Sequence, residues 1–226
     1  MIRGPELHFY EFAREYALRL NAAYAKGFRT RLLPTFADIN LEANNAVNEF
    51  ADLARGMMDP DDAYQYAEEA YMHGLRVYEE LDFIKRQTIA LGLAGLFHLW
   101  ERMIKRFIGD ELRRHGFQAK KDIGKWNFSD IVSCLKTFDF DLTQQAFWQD
   151  LNRLHLIANT VKHGYGPSRT RLAAEWPEIF NNLGAEASSF VRLEYDDPQF
   201  AEEHFDQFAE TLKTFWEHFP ERLTAI

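Results

Sequence analysis

The chain has 226 residues, enough for one generous domain or for one domain with a helical arm. Apolar residues make up 46% and aromatics 15%, which argues against disorder, while seven Pro and twelve Gly are too few for the turns of an ordinary all-β protein. The net charge of −9 excludes a general polyanion binder, and the single cysteine, Cys134, excludes a disulfide framework within the chain and any Cys-based zinc spacing.

Glu6, Glu11, Arg14 and Glu15 interrupt every early apolar run, so no signal peptide is expected. The best apolar run, residues 88–100, contains His98 and falls short of the roughly 20 residues that a membrane span needs. A cytoplasmic protein away from membranes is the expectation.

The elements follow in chain order. Residues 5–26 predict a helix, with Phe9, Phe12, Ala13, Tyr16, Leu20 and Ala23 recurring at three and four, and Gly27 as its terminator. Residues 29–38, with Pro34, predict a connector, and 40–55 a second helix closed by Gly56. Asp59, Pro60, Asp61 and Asp62 predict a helix start; capping explains the three carboxylates better than a metal cluster does. The helical pattern then runs to Arg114. That is roughly 55 residues, or about 80 Å at 1.5 Å per residue, and such a length predicts a break near residues 81–83. The part after the break would be the central helix, buried along Leu93, Leu96, Phe97, Trp100, Met103, Ile104 and Phe107.

His115 and Gly116 close that element. Asn127 or Ser129 should cap a short helix to Phe138, and Asp141 a longer one over 142–163, with Gly164 at its end. A tight turn over 164–168 leads to a helix capped by Ser168 that stops near Pro177. Residues 187–195 hold the only strand-like stretch, and Asp196, Asp197 and Pro198 should start a last helix reaching His218. Its aromatic residues, from Phe200 to Phe219, fit a core stripe better than a partner surface. The expected architecture is all-α: an up-and-down helical bundle over 59–226, an N-terminal helical extension over 1–58, and at most one short strand-like segment.

Chemistry concentrates near residue 160. On a helical wheel Phe147, Leu151, Leu154, Ala158 and Val161 form a core seam. Asn152, His155, Asn159, Lys162 and His163 lie along one flank. Asn159 and His163 are i, i+4 neighbours, so their side chains can meet. A histidine at a helix C-terminus has its protonated form favoured by the carbonyl end of the dipole and can serve as acid or base near neutral pH. Lys162 adds a charge for a phosphate, and Asn159 can fix an imidazole tautomer or hold a substrate oxygen. Helix-end stability alone also accounts for a Lys and a His in these places.

The run Ala158-Asn159-Thr160-Val161-Lys162-His163-Gly164 resembles the signature end of the HEPN superfamily. Members of that superfamily are all-α bundles that commonly dimerise. Many are metal-independent ribonucleases of toxin–antitoxin, abortive-infection and other antiviral systems. An Arg followed by a polar residue, and a His four to six positions after the Arg, meet their counterparts from a second protomer in one cleft. The resemblance maps His163 onto the motif His and Asn159 onto the polar residue, and it implies no cofactor. The Arg position is Ala158 here, a departure that removes the charge expected to stabilise the phosphate. Lys162 is a point charge rather than a bidentate fork, and Arg153 lies on the other side of the seam.

Family members often carry an acidic residue on the central helix, and Glu101 matches it, with His98, Arg102 and Lys105 spaced to share its flank. An ordinary Glu101–Lys105 surface pair is the competing reading. From Arg102 to Lys125 eight basic residues face three acids; that local +5 leaves about −14 for the rest of the chain. Arg102, Lys105, Arg106, Arg113 and Arg114 are thereby candidate RNA contacts.

No phosphate-binding glycine loop, nucleophile elbow or di-iron Glu-x-x-His pair occurs. Two functions stay open. One is a homodimeric, metal-independent endoribonuclease with Asn159, Lys162, His163 and Glu101 at its centre. The other is a catalytically inactive dimerising or partner-binding module, its protein partner encoded nearby.

Overall fold

A computed structural model describes residues 6–55, 62–117, 119, 121–180 and 197–225. The protein is all-α, with one two-stranded ribbon among the described residues. It divides into two compact units, one built from residues 1–26 and 89–226, the other from residues 27–88.

In the first unit the chain opens on strand β1 (Glu6–His8), where a helix start was expected. β1 pairs antiparallel with β2 (Arg222–Thr224), Leu7 opposite Leu223, and both leucines are buried while their neighbours alternate outward. Helix α1 therefore begins later, at Glu11, and runs to Gly27. It is pinned to the last helix, α7 (Glu202–His218), at two points. The Arg14 guanidinium donates to the carbonyls of Trp216 and Glu217, filling orphan acceptors at the α7 C-terminus. Buried Asn21 donates to Ala209 O at 3.0 Å.

The aromatic stripe of α7 is core, as its spacing predicts: Phe205, Phe208, Phe215 and Trp216 are at most 1% exposed. Phe9 closes against it, its ring 4.9 Å from Phe107 and 5.0 Å from Phe219. α7 starts at Glu202 rather than at Asp196; the His204 imidazole accepts from Ala201 N and serves as its cap. The strand-like stretch 187–195 lies outside the described residues, as do Gly56 and the Asp59–Asp61 helix start.

α3 (Ala63–Arg114) is one uninterrupted helix of 52 residues, so the break expected near 81–83 does not occur. That expectation rested on length. Locally there is neither Pro nor Gly, and an Asp82–Arg86 pair at 3.3 Å spans the turn. Within the first unit its buried face is Leu93, Leu96, Phe97, Trp100, Ile104 and Ile108, whereas Met103 and Phe107 are half-buried. Gly116, at φ 71°, ends the element.

α4 (Phe128–Thr137) carries a full capping box, Asn127 and Asp130 exchanging side-chain to backbone bonds. Asp141 caps only a single 3-10 turn, Leu142–Gln144, and α5 (Trp148–His163) starts after it. α6 (Pro167–Glu175) begins with Pro167 in its first turn behind Gly166, in place of the expected Ser168 cap. Asn152 and Arg153 of α5 both donate to Glu175, so α6 folds back along α5 as a helical hairpin.

In the second unit, the expected connector is helical: a π turn over Phe28–Leu32 and a 3-10 turn over Leu33–Phe36. α2 (Ile39–Arg55) then packs on the first half of α3 at Gly74. A Cβ there would fall 2.3 Å from Val47 Cγ2 and 2.9 Å from Ala43 O, which is why only glycine permits this approach.

Candidate functional site

The last two turns of α5 carry the residues singled out above. Gly164 stops the helix at φ 62° and ψ −123°, with its N–H on Thr160 O at 2.8 Å. Lys162 and His163 are left exposed at the carbonyl end of the helix. Among the described residues the His163 side chain makes no hydrogen bond or ion pair. It is open to solvent.

Asn159 does not turn to His163. It pairs with its other i, i+4 neighbour, donating from Nδ2 to His155 Nε2 at 2.7 Å. His155 is packed between aromatic rings: Phe128 stacks on it at 4.3 Å and Phe97 lies at 5.4 Å. Burial pushes this imidazole down to about 4, helped by the Arg171 guanidinium and opposed by the Glu101 carboxylate. His155 is therefore neutral at pH 7. With Nε2 accepting, its proton sits on Nδ1, which is buried without a partner among the described residues.

Glu101 makes the pair that helical spacing suggests, with Lys105 Nζ at 3.0 Å, and it also lies 3.5 Å from His98 Nδ1. Both members of the Glu101–Lys105 pair are largely covered. The field of the Glu101 carboxylate reaches His155, where α3 and α5 meet through the Phe97 ring, and no contact of Glu101 with His163 is found among the described residues.

Ala158, at the position where the resemblance would have an Arg, is 1% exposed and faces the core. Arg153 is committed elsewhere: its guanidinium lies 5.1 Å over the Trp176 ring and donates to Glu175 O. The cation that the hairpin brings to His155 is Arg171 of α6, exposed on its own helix. Sequence reasoning passed over Arg171, which lies eight residues beyond His163 and after a turn. Only the tight turn at 164–168 hinted that the next helix would fold back.

The candidate RNA contacts of α3 divide. Arg102 and Arg106 are exposed, while Lys105 belongs to the Glu101 pair. Asp110 takes both Arg113 and, at 3.8 Å, Arg106. Arg114 bonds the buried Glu111 carboxylate at 2.7 Å. The local basic excess is thus partly neutralised at home, and Arg102 is left with no ion pair among the described residues.

Burial pushes the Cys134 thiol up to about 11, so it stays protonated at neutral pH. No helix of the described residues is long and apolar enough to cross a membrane. Compared with known proteins, the chain matches no family model, and no curated protein or solved structure matches it.

Proposed function

We propose that the chain is a HEPN-like, metal-independent endoribonuclease acting in a microbial defence or toxin–antitoxin setting, with His163 as its acid–base group. The observation that carries the reading is the exposed, unengaged imidazole of His163 at the α5 C-terminus, with Lys162 beside it and the Arg171 helix folded back alongside. Neutral His163 accepts the proton of an RNA 2′-hydroxyl, and that oxygen forms a bond to the adjacent phosphorus. The bond from phosphorus to the 5′-oxygen breaks, the leaving oxygen takes up a proton from water, and the protonated His163 returns its proton to solvent. The products are a 2′,3′-cyclic phosphate and a 5′-hydroxyl. Lys162 and Arg171 supply positive charge to the phosphate, Arg171 with the planar fork that Ala158 cannot give.

Asn159 acts indirectly in this scheme, by holding His155 as a neutral imidazole under the site, and Glu101 with Lys105 sets the field behind it. A homodimer would bring two α5 ends to one strand, and the exposed Arg102 and Arg106 would line its path. Replacing His163 with Ala should abolish cleavage with the thermal midpoint unchanged, because the side chain touches nothing that holds the fold. Retained cleavage would remove the assignment.

A second reading is favoured by the burial of Ala158 and by the engagement of Asn159 with His155. In it the α5 end is structural and the protein is a dimerising or partner-binding module. Simultaneous replacement of Asn159, Lys162 and His163 discriminates between the two: cellular function survives it in a binding module and is lost in a nuclease.

A further inference from the structure

α1 and the C-terminal half of α3 leave a trough of about 890 Å³ between them, in the first unit. Its floor is the buried pair Phe9 and Trp216. Along α1 it runs from Phe12 to Leu20 and along α3 from Arg102 to Arg114, so it is about 12 to 18 Å long, two to three helical turns. His163 does not line it.

Two observations identify the occupant. First, Tyr10, Phe12 and Tyr16 protrude at its edge, 47%, 67% and 49% exposed. Core packing does not require these rings to stand in water. Together with half-buried Met103 and the surrounding arginines they are the residue types in which protein interfaces are enriched. An enclosed ligand pocket would surround its guest, whereas this trough is about half open to solvent.

Second, its free charge has one sign. Arg19, Arg102, Arg106 and Arg114 face two acids, Asp110 and Glu111. Both acids are already committed, Asp110 to Arg106 and Arg113, and Glu111 to His8 N at 2.9 Å and to Arg114. Arg19 rests over the Tyr16 ring at 5.6 Å, and Arg102 has no carboxylate among the described residues. On a chain of net charge −9 this rim is a local inversion.

We propose that the trough binds an amphipathic helix of another protein. The apolar stripe of that helix lies on Phe12, Tyr16 and Met103, and carboxylates on its flanks meet Arg102, Arg106 and Arg19. A helix of two to three turns fills the length of the trough, and its side chains at i, i+3, i+4 and i+7 reach the floor. The rim charges give the complex its orientation and its salt sensitivity.

The test is to pan a displayed library of amphipathic helical peptides, randomised at the flanking positions, against the full chain. Enriched peptides are then titrated by fluorescence anisotropy against wild type, Phe12→Ala, the Arg102→Glu/Arg106→Glu double variant and His163→Ala. The mutated side chains in the trough are exposed, and circular dichroism checks that each variant is folded. Enriched peptides should carry Asp or Glu on their flanks. Phe12→Ala should weaken them about tenfold or more, charge reversal should weaken them further, and added salt should do the same. His163→Ala should bind like wild type, so loss of the nuclease reading and loss of this one are separable. Failure to enrich any peptide, enrichment of basic or neutral flanks, or affinity indifferent to Phe12→Ala would overturn the proposal. So would a single-stranded RNA decamer that binds more tightly than every peptide and depends on Phe12.

Discussion

His155 shows how one half-buried ring changes the meaning of its neighbours. It is held neutral between Phe97 and Phe128, whereas the unfolded chain titrates it near the ordinary histidine value of about 6.5. Between that value and about 4 the unfolded state binds the extra proton and the folded state does not. Stability is therefore fully present above roughly pH 6.5 and falls as the pH drops toward 4. Urea unfolding at pH 7 and pH 5 should show that loss in wild type and a smaller one in His155→Phe. Equal pH slopes would contradict the half-buried neutral imidazole. Ala158→Arg should not restore a conventional motif. It places a guanidinium in the core without a partner and should cost about 3 kcal/mol or more, read as a lowered urea midpoint. The polar flank of α5 was legible from the wheel, including His155 as a member of it. Which i, i+4 pair forms was not, since Asn159 stands four residues from both histidines and the choice depends on aromatic rings brought by α3 and α4.

Among elements, the well-read ones are those with local terminators. Gly164, Gly116 and the Asn127 cap stop or start helices by backbone chemistry that needs no tertiary partner. Asn127→Ala should destabilise by about 1 kcal/mol through loss of the capping box. Gly164→Ala, at a backbone angle that side chains resist, should cost roughly 1 to 3 kcal/mol. Denaturant midpoints for the two variants measure both. The misread elements depend on distant residues. β1 exists because Arg222–Thr224 lies opposite it, and α1 is shortened by that pairing. The unbroken α3 was misjudged because a prior on helix length outweighed a sequence that holds no proline and has no glycine between Gly74 and Gly92. Gly74 reads in sequence as a weakness in a helix, yet it is the contact point with α2 in the second unit. Gly74→Ala should destabilise by roughly 1 to 3 kcal/mol, because the Ala43 carbonyl is backbone and cannot swing aside.

For the whole molecule, composition and periodicity were enough for the all-α class, because 3.6-residue patterning dominates the chain. Function is set by a smaller part of the surface. Under the proposed nuclease function, a net charge of −9 opposes RNA in general, and approach would rest on exposed cations such as Arg102, Arg106, Lys162 and Arg171. Cleavage at low substrate should accordingly slow as salt rises. Most direct for the central claim is an assay of purified wild type and His163→Ala on total RNA in EDTA, with product ends mapped. Wild type should make cuts that leave 2′,3′-cyclic phosphates and 5′-hydroxyls, and the variant should make none. Intact RNA with both proteins, or equal cutting by both, would contradict it.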